Sequence, residues 1–178
     1  MFTIRKLKEA DLDTTEEIIN KAKAHMRDVL KIDQWQAGYP NRDTYTQDIK
    51  DGIGYALCDQ QDNVVGVAAL IFDGEPEYNK LSDNDGEFEG KWQHGENYAA
   101  IHRICVDKDI ACRGVGTEFM RQIFDIAKAN GFDSIRIDTH RYNLPMRALL
   151  KKNGFEETGV IYIYEPLHNE RITYEKKL

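Results

Sequence analysis

The stretch VDKDIACRGVGTEFMRQIFDIAKANGF, residues 106–132, runs from the end of an apolar segment through a glycine-punctuated turn into an amphipathic helix. That order suits an anion. Glycine lets main chain approach a ligand closely, and the first amides of a helix point outward at its positive dipole end. Gly114, Val115, Gly116 and Thr117 supply such amides, while Arg113 and the Thr117 hydroxyl add side-chain donors. Several donors converging on several oxygens fit a diphosphate better than a carboxylate. A P-loop fits badly, because no lysine follows Gly116 and the glycine spacing is wrong. A dinucleotide fingerprint fits no better, since Phe119 stands where its third glycine belongs.

Two histidines could move protons nearby. His102 belongs to a run that alternates as a strand, which puts Tyr98, Ala100, His102, Ile104 and Val106 on one face. It reads either as a general base or as a hydrogen-bonded structural histidine beside Arg103. His140 ends the strand-like segment DSIRIDTH, at the carboxyl end where ligands gather in parallel sheets. It too has a plain alternative, as a capping or supporting residue, and Asp138 and Arg141 could orient it. In IDQWQAGYP, the residues Trp35, Gln36 and Tyr39 form an aromatic and amide cluster that could line an acceptor pocket or simply pack locally.

These groups must be positioned by a fold, and the pattern supplies one. Residues 2–7 read as a strand, and a helix follows Asp11, expected as its N-cap. A short helix covers 44–50, and two strands joined by QQDN form a hairpin. After a strand at 97–107 come the glycine turn and its helix, a strand, and a short helix started by Asn143 and stopped at Asn153-Gly154. Two strands close the chain. The order β-α-α-β-β-β-α-β-α-β-β predicts a mixed α/β fold with helices on both faces of the sheet. Without a repeat or linker, its 178 residues predict one domain, 1–178.

Two motifs in this order resemble the GNAT superfamily of acyl-CoA-dependent N-acyltransferases. ICVDKDIACRGVGTEFM looks like the family's strand, [QR]-x-x-G-x-[GA] turn and helix. NLPMRALLKKNGF resembles its N-x-x-A-x-x-L-Y-x-x-x-G-F helix, with Asn143, Leu149, Gly154 and Phe155 at matching spacings. The resemblance covers nearly the whole chain. It implies a mixed, mostly antiparallel sheet of about seven strands with about four helices. It also implies acetyl-CoA as cosubstrate, a coenzyme A pyrophosphate cradle at 113–117, and Ile104, Val106 and Asn143 as further cofactor contacts. The implied reaction is N-acetylation of a primary amine on a small molecule or peptide, by direct attack on the thioester. A histidine placed like His102 resembles the base of arylalkylamine-acetylating members, and a homodimer is a frequent family arrangement. Two positions depart from the pattern. Ala111 stands where Gln or Arg is usual, and Leu150 stands where a tyrosine often protonates the leaving thiolate. Tyr142, Tyr162 or Tyr164 could substitute. A non-catalytic acyl-CoA-binding module is therefore the alternative.

Composition narrows the classes further. A net charge of −7 with no basic face argues against a nucleic-acid partner. No apolar run nears the ~18 residues of a membrane span, and the charged start lacks a signal-peptide core, so a cytoplasmic protein is expected. Three cysteines without C-x-x-C spacing predict neither a disulfide framework nor a zinc site. The acidic segment 73–97 lacks periodicity and reads as a lid, a solvated charge run or a recruiter of cationic amines through Asp83, Asp85, Glu87 and Glu89. It is not an EF-hand, since Leu81 and Trp92 fall where carboxylates are required.

Overall fold

A computed structural model describes residues 1–82, 90–111, 114–163 and 169–178. Its strands are β1 (Thr3–Lys6), β2 (Gly54–Cys58), β3 (Val64–Ile71), β4 (Tyr98–Val106), β5 (Ser134–His140), β6 (Glu156–Ile163) and β7 (Asn169–Lys177). Its helices are α1 (Leu12–His25), α2 (Arg42–Lys50), α3 (Val115–Ala129) and α4 (Leu144–Lys152). The seven strands follow the order β1-β2-β3-β4-β5-β7-β6. The expected order of elements and the mixed, mostly antiparallel class hold.

The chain forms two compact units, one from Met1–Leu70 with Ile101–Ile123, the other from Ile71–Ala100 with Phe124–Leu178. In the first, β2 pairs antiparallel with β1 and β3, as the hairpin pattern predicts. Its core gathers Leu12, Ile18 and Ile19 of α1 with Tyr45 of α2 and Ala56 and Val67 of the hairpin. Val115, Phe119 and Ile123 are buried at four-residue spacing, so one apolar stripe seats the start of α3. Asp11 precedes α1, but it does not cap it as expected. Its carboxylate takes the Lys8 amide at 2.8 Å and the Arg5 guanidinium at 2.7 and 3.0 Å, locking the turn before the helix.

In the second unit, β4 and β5 are parallel over Tyr98↔Ser134 to Ala100↔Arg136. The antiparallel β7 lies between β5 and β6, so the two strands joined by α4 are not neighbours. The described part of 73–97 is more ordered than its lack of periodicity suggests. Tyr78, in a 3-10 turn at Pro76–Lys80, is 1% exposed and packs with Tyr98, Ala100 and Ile161. The Arg136 guanidinium lies over the rings of Trp92 and Tyr98, at 4.2 and 3.7 Å, and donates to Glu175 at 2.9 Å. Asp83, Asp85, Glu87 and Glu89, named above as recruiters of amines, lie outside the described residues.

Candidate active site

The glycine turn stands in the first unit, where α3 begins. Gly114 has φ 80, a left-handed conformation costly for other L-residues, and nothing lies within 4 Å of where its Cβ would be. The first intrahelical bond runs from the Glu118 amide to the Gly114 carbonyl, at 3.0 Å. The amides of Val115, Gly116 and Thr117 therefore precede that bond, in the first turn where a helix has no carbonyl of its own to offer them. The Val115 side chain is buried, which leaves main chain as its contribution to a ligand. Glu118 is the acidic residue in the first turn of α3. Hydrogen bonds from Arg121 and Gln122 hold its carboxyl down at about 2, and Arg121 offsets its charge. Main-chain donors, open space and a compensated acid fit a diphosphate. Arg113 and Cys112 lie outside the described residues.

His102 is half-buried on β4, with Nε2 shut off from solvent; Ile104 is buried and Val106 half-buried. The alternation expected along this strand does not continue unbroken, because Arg103 has φ 53. A non-glycine residue in that conformation turns the strand locally and re-aims its side chains. The Arg103 guanidinium meets Asp48 of α2 twice, Nη2 to Oδ1 at 2.7 Å and Nε to Oδ2 at 3.0 Å, and donates from Nη1 to the Tyr39 hydroxyl oxygen at 2.7 Å. Burial raises the Asp48 carboxyl, opposed by Arg103 and, more weakly, by His102.

The loop before α2 holds the three expected acceptor residues differently. Trp35 packs against the first unit's core. Gln36 spends its amide donors on the carbonyls of Lys23 and Gln34, at 3.0 and 3.1 Å. Tyr39 is 46% exposed. Burial pushes the Cys58 thiol to about 11 and Cys105 to about 12, so neither offers a thiolate nucleophile at neutral pH.

The second unit carries His140 and Asn143. The Tyr142 amide donates to His140 Nδ1 at 3.1 Å, so the neutral ring holds its proton on Nε2. Asn143 caps α4 as expected, its Oδ1 accepting the Met146 amide at 3.3 Å. Asp138 accepts the Tyr78 hydroxyl at 3.0 Å and stands 3.8 Å from Arg171. Leu150 is completely buried. Of the tyrosines named as substitutes, Tyr142 and Tyr162 are exposed, and Tyr164 lies outside the described residues. Among the described residues, no group of three or more His, Cys, Asp or Glu is placed to hold a metal. Nor is any described helix long and apolar enough to cross a membrane.

Sequence reasoning missed Arg103 and Asp48. They are 55 residues apart in sequence, and no short motif links them.

Residues 17–155 match the family model described as Acetyltransferase (GNAT) family. The chain belongs to that family, whose members are acetyltransferases that use acetyl-CoA. It is similar to an acetyltransferase of the GNAT family from Streptococcus agalactiae, at 28% identity and TM-score 0.86 over 99% of this chain and 95% of the other. The fold is shared with the ribosomal-protein-S18-alanine N-acetyltransferase of Escherichia coli, at 18% identity and TM-score 0.63 over 99% and 94%. It is shared too with a phosphinothricin acetyltransferase from Sinorhizobium meliloti in complex with AcCoA, at 14% and TM-score 0.65 over 99% and 88%. No curated protein matches the chain in sequence.

Proposed function

We propose that this chain transfers the acetyl group of acetyl-CoA to a primary amine of a small molecule or peptide, the amine attacking the thioester directly. The observation that carries the reading is the turn at 114–117, where a left-handed glycine, with nothing within 4 Å of where its Cβ would be, leads into the first-turn amides of α3. Those amides, with Arg113, would hold the pyrophosphate, and the main chain of β4 around Ile104 and Val106 would pair with the pantetheine arm. Asn143 starts the helix that carries the second family motif.

Acetyl-CoA supplies an activated acyl group; the chain must supply a neutral amine. A lysine-like amine, with pKa about 10.4, costs roughly 4 kcal/mol to deprotonate at pH 7. His102 is proposed as the base, directly or through a water, with His140 the second candidate. Trp35 and Gln36 shape the loop that carries Tyr39, and the three are proposed to line the acceptor side, Tyr39 through its ring. Direct attack agrees with the suppressed thiols of Cys58 and Cys105. A small-molecule or a peptide acceptor suits the fold equally, since one neighbour is named for a ribosomal-protein alanine and another for phosphinothricin.

The family match reaches into both compact units, which supports reading 1–178 as one acetyltransferase domain. A cytoplasmic location and a homodimer complete the proposal.

Buried Leu150 favours one other reading, a domain that binds acyl-CoA without catalysis. Calorimetry with coenzyme A, ATP and NAD tests the ligand, and thiol release in the presence of amines tests catalysis. Binding of coenzyme A alone with amine-dependent release supports the transferase. Binding without release supports the module, and preference for ATP or NAD contradicts both.

A further inference from the structure

The departing sulfur needs a proton, and Leu150, at the position where the family pattern often has a tyrosine, has no acidic hydrogen to give. The first unit contains three tyrosines. The Tyr45 hydroxyl is enclosed, and burial pushes its phenol far up. The Tyr55 hydroxyl accepts from Lys6 at 2.6 Å, and its ring is 6% exposed. Tyr39 differs from both in being exposed and fastened to β4, one residue from His102.

The way it is fastened matters. Arg103 donates to the Tyr39 oxygen, so the hydroxyl hydrogen must point elsewhere, as a donor. The guanidinium is itself fixed by two bonds to Asp48. Arg103 reaches both partners from a left-handed backbone, a conformation that costs of order 1–3 kcal/mol and persists where surroundings enforce it. Asp48, Arg103 and Tyr39 thus form a chain: a carboxylate orients a cation, and the cation orients a phenol.

We infer that Tyr39 is the proton donor to the leaving sulfur, with Arg103 and Asp48 as its positioning residues. The inference rests on the amine acetyltransferase reading above. As the amine forms its bond to the carbonyl carbon, the carbon–sulfur bond breaks and its electron pair goes to sulfur. The Tyr39 hydroxyl proton follows to give coenzyme A thiol, and Arg103 faces the phenolate left behind. His102 takes the ammonium proton before attack and passes it to solvent, then takes the second proton lost by nitrogen as the amide forms. Solvent then returns one proton to Tyr39 and accepts the one on His102, so the products are amide and thiol with the protein unchanged.

The test compares Tyr39→Phe, His102→Ala and Arg103→Lys with the wild type on two acceptors, a strongly and a weakly basic amine. Tyr39→Phe keeps the ring and should lower kcat about 10- to 100-fold, near the lower range for a general acid. Acetyl-CoA affinity and acceptor KM should stay close to wild type. Because this proton goes to sulfur, the loss should be equal for both amines. His102→Ala should instead harm the strongly basic amine more. Arg103→Lys cannot reproduce the forked grip and should lower kcat in the same amine-independent way, with Tm recorded to account for any loss of fold. A Tyr39→Phe variant with unchanged kcat, or with only a raised acceptor KM, overturns the inference and leaves the acetyltransferase reading standing. A wild type that releases no thiol with any amine removes that reading and this inference together.

Discussion

Arg103 and Asp48 are joined by two hydrogen bonds of 3.0 and 2.7 Å, although Arg103 holds a left-handed backbone in the middle of a strand. Their side chains are only 11% and 5% exposed. Such a pair adds little net stability over an apolar one, but removing one member strands a buried charge. Asp48→Ala should therefore destabilise the protein by about 3–5 kcal/mol. The double variant Asp48→Leu with Arg103→Met should lose less than Asp48→Ala alone. Urea unfolding of these variants, and of Asp48→Leu and Arg103→Met singly, checks this. A double variant as unstable as the sum of the two single ones would remove the coupling.

The turn makes a sharper demand on binding than on folding. Gly116→Asp would set a carboxylate beside the diphosphate, and Gly114→Val would place a branched side chain in the open approach at a left-handed position. Each should weaken coenzyme A binding by at least ~10-fold, roughly 1.4 kcal/mol. Titration calorimetry on folded variants decides, and normal affinity in both would mean the diphosphate sits elsewhere.

Glu118 gives the site a pH signature. Hydrogen bonds from Arg121 and Gln122 depress its carboxyl from 4.5 to about 2. A depressed folded-state value means the ionised form is favoured by folding. Its contribution is fully present above about 4.5 and fades as pH falls toward 2. Solvent screening keeps it small, because the side chain is 35% exposed. Thermal unfolding of wild type and Glu118→Gln should show a modest wild-type advantage at pH 6 that shrinks by pH 3. An advantage that grows on acidification would reverse the assigned sign.

Much of this was legible in the sequence because the signals are local. Asn143 and the stop at Asn153-Gly154 bracket a capped helix, and QQDN between apolar runs shows a hairpin. The placement of β7 between β5 and β6 was not legible, since pairing partners depend on the whole sheet. Nor was Tyr78, a core residue within an acidic, aperiodic segment: its burial depends on Tyr98, Trp92 and Ile161, far along the chain. The irregularity at Arg103 was hidden for a similar reason. Alternation looks the same on paper whether or not Asp48 and Tyr39 wait to turn one arginine aside. The glycine turn before an amphipathic helix was visible as a local pattern, while the contacts of Arg103 with Asp48 and Tyr39 form only through folding.

The most direct measurement is thiol release from acetyl-CoA by the wild-type protein, followed with and without a panel of primary amines and peptides, with products identified by mass. Release should be slow alone and rise by several orders of magnitude with at least one amine, matched by one acetyl group gained per thiol released. Tight coenzyme A binding with release that no amine accelerates would contradict the acetyltransferase reading.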